Sequence, residues 1–496
     1  MKKKGVLLII FISFMLILWA TVSSLPSFKP QKEISNVTDL KNTQLCGSDI
    51  TMSNLYLNEY KLPEKCGQPL ALISDPYENL WFTQTTTNSV SKFNQFKKLF
   101  YTYHNNYQTK EKSMIWGMDY SHNELWYTGN QDHIWNFDTI SKNYYKILYP
   151  YQNSLPQRIK IMNYEMIIND FTGNKIVIIS PIPISPDTNY LAITSPLKNS
   201  FTSDFAIDSK KNIWYTNWIF QQHGSLIKTN YLLYKNGNND LTKQMKVYEL
   251  PDDVISPNGL SIDKNDNIWI TDTSSNSFFK FAPKYDDKNF INYTTSNPPI
   301  STYGNYSEVI KNPISRPYWN EIQDDKIIFN EQTSNSIAEF YIMDEKLIER
   351  LIPTKNPNWA DCGHILDCGI SQLFGFTIHE NNIWFTEWVE NNLGMINTLT
   401  STSFDVNIIE SLKTKNRIQL ILKIYSKANN NVINIINNTT SLNTAINTHK
   451  NKIILDENEF VELKSIITTN SYSKEKILIG GRNSDLTISK YVTINN

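Results

Sequence analysis

Four carboxylates stand at the same place in a recurring short strand: Asp170, Asp272, Glu331 and Glu387 close EMIIND, NIWITD, KIIFNE and NIWFTE. The same place elsewhere holds Gln84, Gly129 and Asn217. If these strands surround one axis, the acids ring one opening. Carboxylates that converge without basic partners suit a hard divalent cation such as Mg²⁺ or Ca²⁺. That ion would polarise an ester carbonyl and acidify the adjacent carbon, and a base would take the proton. His223 and His364 are the candidates for that base at the rim. Trp218 and Trp388 directly follow the acidic position and would offer flat faces to a sugar or an aromatic ligand. Asn217 and Arg316 complete the ligand-binding candidates, with Arg316 placed to neutralise one carboxylate. The plainer alternatives stay open. Each acid then caps a loop or pairs with a neighbouring sheet, each Trp is core, and each loop His is solvated.

Internal repeats must position these residues. The strand with the acidic end recurs with anchors at Trp81, Trp126, Ile167, Trp214, Trp269, Ile328 and Trp384. Around each anchor the same grammar appears. A short apolar strand such as PNGLSI precedes it, a third segment such as NSFFKF follows, and a fourth such as KVYELP leads to the next unit. Four short strands with hairpin-length turns make an antiparallel sheet. One such sheet cannot bury both faces, so copies must stack around an axis. The expectation is an all-β fold, a seven-bladed β-propeller over 55–403, with a linear β-solenoid as runner-up. The last unit lacks a fourth strand. LNEYKLP, at 57–63, resembles KVYELP and would close the ring from the N-terminal side. Beyond residue 403 the Trp motif stops. Strand-like runs with a Gly480-Gly481 turn signal suggest a small immunoglobulin-like sandwich over 404–496, or else a small barrel.

The repeated W-F/Y-T-E strand followed by N-x-I/L-G resembles the virginiamycin B (streptogramin) lyase family, most closely in NNIWFTEWVENNLGMI at 381–396. The resemblance covers roughly 55–400. It implies a seven-bladed propeller that opens a cyclic depsipeptide by elimination, with a divalent metal and an inward His and Glu. Carried over by position, Glu387 is the catalytic Glu. The His implied at the start of the preceding strand is replaced by Leu373, Pro317 and Asn258 in three units, leaving His364 as the nearest substitute. Asn258, in PNG, also looks like a metal-binding Asn of gluconolactonase-type propellers. Two functional classes follow. One is a metal-dependent lyase or lactone-acting hydrolase. The other is a non-catalytic module that recognises a glycan, peptide or protein.

Residues 1–24 open with three lysines and run about twenty residues without charge, the length of a membrane-spanning helix. An uncleaved anchor and a cleaved signal segment both remain open, with 25–54 as linker. Either places the body outside the cytoplasm, membrane-bound or secreted. Four cysteines fit disulfides there, Cys46–Cys66 and Cys362–Cys368 being the locally closest pairs among three connectivities. Lys and Arg number 47 against 48 acids, so the formal charge of −1 argues against a nucleic-acid partner. Gly is scarce at 16, and the abundant Asn is expected to fill the turns.

Overall fold

The computed structural model describes residues 47 and 50–494, apart from 108–113, 130–132, 186, 220–221, 231, 233–244, 285–288, 300–301, 303–313, 361, 366–367, 415–416, 440–443, 449–450 and 470–474. The expected anchor or signal segment, its linker up to residue 45, and Cys46 lie outside the described residues. Among the described residues no helix is long and apolar enough to cross a membrane.

Six four-stranded antiparallel sheets and the first four strands of an eight-stranded one carry the seven repeats. Blade one runs from Pro69–Ser74 to Leu99–His104, and blade two from Met118–Ser121 to Tyr144–Leu148. Blade three runs from Pro156–Met162 to Asn189–Thr194, and blade four from Phe201–Ile207 to Met245–Glu249. Blade five runs from Pro257–Ile262 to Phe290–Thr294, and blade six from Pro317–Gln323 to Lys346–Leu351. Blade seven takes Leu373–His379, Asn382–Glu387 and Asn392–Asn397 from the last repeat. Its outer strand is Leu57–Lys61, paired antiparallel with Leu57 opposite Ile396. The N-terminal strand therefore closes the ring, as its pattern suggested.

Three local devices explain why the repeats fold this way. At the turn between the second and third strands, Asn88, Asn174, Asn335 and Asn391 all have positive φ. Asn reaches this region more readily than most side chains, so it stands where Gly would. At the turn between the first two strands an Asp organises the loop. Asp75, Asp208 and Asp263 accept the Nε1–H of Trp81, Trp214 and Trp269 at 2.8, 2.9 and 3.2 Å. They also accept the backbone N–H four residues on. The spacing D-x-x-x-N-x-W is thus one hydrogen-bonded unit that lets a fully buried Trp keep its donor satisfied.

The third device sits beside the Trp. The first strand of six blades carries a register shift near its start, beginning in blade one between Pro69 and Leu72. The side chain before the acidic position accepts a backbone N–H of that strand in every blade, or in blade two that of Gly117 just before it. The acceptors are Thr83, Thr128, Asn169, Thr216, Thr271, Asn330 and Thr386. Several also donate to the next blade: Thr83 to the carbonyl of Ile115, Asn330 to those of Leu373 and Phe374, and Thr386 to that of Leu70.

Eight further strands follow the last blade. Phe404–Thr414, Arg417–Ser426, Phe460–Thr469 and Thr444–Thr448 form one sheet. Leu486–Ile494, Glu475–Arg482, Asn431–Thr439 and Lys452–Leu455 form the other. Their facing sides share a core of Phe404, Val406, Leu422, Ile433, Ile479 and Ile488. The second sheet is continuous with blade six, because Lys346–Leu351 pairs antiparallel with Leu486–Ile494. Gly480-Gly481 is not a turn. Both lie inside Glu475–Arg482, where a Cβ on Gly480 would stand 2.0 Å from the carbonyl oxygen of Ile488. The glycines there permit close backbone approach.

Candidate functional site

The four acidic residues are each fully buried. Register pairs the start of a first strand with the acidic position, Pro156 with Asp170, Pro257 with Asp272, Pro317 with Glu331 and Leu373 with Glu387. The side chains nevertheless stay apart. Asp170 accepts the backbone N–H groups of Leu155 and Gly173, both at 2.9 Å, and the Tyr149 hydroxyl at 3.2 Å. Asp272 accepts the Ser256 N–H and the Ser274 hydroxyl, both at 2.8 Å. Ser336 donates to Glu331 at 2.5 Å, and Asn392 donates to Glu387 at 3.1 Å. Each acid is thus engaged with the loops and strands of its own blade and seam.

The physical reason is strand alternation. The acidic residue shares a face with the residue two before it, such as Phe329 or Phe385, and these point into the packing between blades. Burial there raises Asp272 above the usual range. Burial, reinforced by the charge of Glu349, raises Glu331 well above the usual carboxylate range. Burial, reinforced by Glu59, does the same for Glu387. Among the described residues, one group of three His, Cys, Asp or Glu has its ligand atoms within 4.8 Å of one another. It contains none of these acids, being Glu78, His379 and Glu380.

The remaining candidates are placed as follows. Asn258 donates to Thr273 at 2.5 Å and accepts from Ser203 at 2.6 Å, so both ends of its amide serve the seam between blades four and five. Asn217 donates to Asn174 at 3.0 Å. Arg316 is buried with φ of 57°, and its backbone N–H reaches the Ser275 carbonyl. Trp218 packs against Phe201 and Phe171 at 5.3 and 5.6 Å between ring centres. Trp388 packs against Trp359 and Phe374 at 5.6 and 5.7 Å. Both are only 6% exposed, so neither presents a face to a ligand. His364 and His223 are exposed. His364 sits in the loop closed by the Cys362–Cys368 disulfide, and Cys66 is also disulfide-bonded.

A second set of charged residues, not singled out from the sequence, lines the central channel on the first strands. Arg158 Nε meets Asp204 at 3.3 Å, and its guanidinium lies 4.7 Å from the ring centre of Trp319. Asp204 also accepts the N–H of Leu260 at 3.1 Å, and Asp119 accepts that of Ile161 at 2.5 Å. Glu321 feels Arg158 and Lys160, but burial outweighs them and raises it. Burial raises Asp204 too, against the pull of Arg158. Of these groups Arg158 and Glu321 border a recess that Leu70, Trp116, Trp319 and Phe374 also line, so that five blades contribute. The centres of water-sized molecules can reach about 30 Å³ of it, room for one or two waters or a single small group. The sequence signal was present in PQRIKIM, TSDFA and PYWNEIQ, which put charges inside otherwise core-like first strands.

No protein-family model matches the sequence, and no curated protein matches it. Solved structures similar to the chain include a streptogramin B lyase (TM-score 0.52, 17% identity, 69% of this chain and 97% of that one). Another is the virginiamycin B lyase of Staphylococcus aureus (TM-score 0.51, 17% identity, 69% of this chain and 98% of that one). At this identity the likeness establishes the propeller fold.

Proposed function

We propose that the protein is an extracytoplasmic recognition propeller that seats one small polar group of a larger ligand in its central channel. The observation that carries this reading is the Arg158 guanidinium, stacked on Trp319 and flanked by Asp204 and Glu321 at a recess of one- or two-water size. A charged group paired with an aromatic face suits a hydroxyl- or amide-bearing ligand such as a glycan or peptide, and its body would rest on the propeller face. The N-terminal segment would hold the body at the membrane or be removed on export. The C-terminal strands would form an immunoglobulin-like sandwich beside the ring.

A second reading follows from Glu387. Its Oε1 is buried without a hydrogen-bond partner, and burial pushes the carboxyl well above the usual carboxylate range. A neutral buried carboxyl can donate a proton, as a lyase resembling the similar structures would require, with His364 as the base and Mg²⁺ or Ca²⁺ as cofactor.

One preparation tests both. The chain lacking its first 24 residues is assayed for turnover of cyclic depsipeptides and lactones with and without chelator, and for binding to glycan and peptide panels. The expected result is binding that falls at least tenfold in Arg158→Ala, without turnover. Chelator-sensitive turnover lost in Glu387→Gln would replace the recognition reading with the lyase one.

A further inference from the structure

At the end of the ring opposite the acidic positions, we infer a divalent-cation site of the zinc class that staples the first and last blades together. Its ligands are Glu78, in the turn between the first two strands of blade one, and His379 and Glu380, in the corresponding turn of blade seven. Their ligand atoms all lie within 4.8 Å of one another. This is the seam where the ring closes. It is distinct from the channel recess and independent of the ligand proposed for it.

Two observations point to a cation. The first is the state of the imidazole. His379 Nε2 is sealed from solvent and has no hydrogen-bond partner. A buried ring nitrogen left unmatched is costly unless something coordinates or bonds it. Among the described residues no ion pair joins His379 to either carboxylate, so the three groups face one another across a gap.

The second observation comes from the other seams. In three of them the equivalent turns of neighbouring blades touch directly. His122 of blade two stacks on Tyr164 of blade three at 5.1 Å. Ser209 of blade four donates its N–H and hydroxyl to Asp266 of blade five at 3.1 and 2.8 Å. Gln323 of blade six donates to the Glu380 carbonyl of blade seven at 2.7 Å. Between blades seven and one, two carboxylates and an imidazole take the place of a donor–acceptor pair. Two like charges at such a meeting repel unless a cation lies between them.

The ligand set chooses the ion. One imidazole with two carboxylates suits Zn²⁺, whereas an all-oxygen set would suit Ca²⁺ or Mg²⁺. Zinc–ligand bonds of about 2.0–2.2 Å need only a small contraction of these turn side chains from their present spacing, and water would fill the remaining position. Because the ligands come from both ends of the ring, binding would oppose opening of the seam.

The test uses the full chain stripped with chelator and then titrated with Zn²⁺, with Ca²⁺ as the control ion. We expect one tight Zn²⁺ equivalent, weakened at least tenfold in His379→Ala and in the double variant Glu78→Gln/Glu380→Gln. Zinc should raise the melting temperature of the unaltered protein and leave that of the variants where it was. At a hundred times Kd, binding shifts the folding equilibrium about a hundredfold. The double variant without metal should melt no lower than the unaltered protein, because it removes a repulsion and no bond. No Zn²⁺ uptake, uptake unchanged in the variants, or uptake with no rise in melting temperature would each overturn the staple.

Discussion

The buried carboxyls decide what this protein's side chains do at neutral pH. Glu387 and Glu59 share the interior of blade seven, and burial is the largest influence on both. Glu59 is raised from the usual 4.5 to about 7, mainly by burial and partly by Glu390, against the hydrogen bonds from Met52 and Thr354. Both groups hold their protons more tightly folded than unfolded. Folding therefore takes up protons, and their contribution to stability is full below about pH 4.5. It is lost as pH rises, for Glu59 by about pH 7. Denaturant titrations at pH 5 and pH 8 should show the protein more stable at pH 5. Glu387→Gln keeps the shape and removes the charge. It should gain more stability at pH 8 than at pH 5, because the unfolded glutamate ionises as pH rises while the folded protein holds the proton more tightly. Equal gains at both pH values would mean that folding does not raise Glu387.

The blade is held by its second strand, and most of that was legible. The Trp anchors, the Asn turns and the borrowed closing strand follow from spacing and from one Tyr-x-Leu-Pro echo, because each is local in sequence. The Thr before the acidic position carries a longer connection. Thr386 accepts from the Gly375 N–H at 3.0 Å and reaches the Leu70 carbonyl, also at 3.0 Å, in the next blade. Thr386→Val would leave that amide and that carbonyl buried without their partner, at about 1–3 kcal/mol. Thr128 bonds only to Gly117 within its own blade, so Thr128→Val should cost less. Chemical unfolding of the two variants measures the difference. What the sequence did not reveal depends on facing. The four acids recur at one position, which suggested a ring, but pleating sends them into separate seams. Arg158 and Asp204 stand at the same place of their first strands, but the other blades put Ala71, Gly117, Gly259, Trp319 and Gly375 there, so no repeated charge marks that position. The Glu78–His379–Glu380 group was equally hidden, because it joins residues some three hundred positions apart.

At the scale of the whole molecule, ring and sandwich are joined by main chain rather than merely tethered. Blade six continues into the strand Leu486–Ile494, with Leu347 opposite Ser489. Arg482 donates to Ser296 at 2.5 Å and to the Asn297 carbonyl at 2.8 Å, just beyond blade five. Tyr491 packs edge-on against Tyr293 at 5.1 Å and bonds the Thr294 carbonyl. Lys476 pairs with Glu345. The sandwich thus covers what would otherwise be the open edge of blade six and shares a hydrophobic cluster with blades five and six. An uncovered strand edge presents unpaired N–H and C=O groups and invites pairing with other chains. The intact protein should therefore unfold in one calorimetric transition that includes the sandwich. A chain ending at residue 403 should expose Lys346–Leu351 and either self-associate or melt well below the full protein. Two separate transitions in the intact chain, or a monomeric truncated ring of undiminished melting temperature, would show that the continuous sheet contributes no coupling between the two.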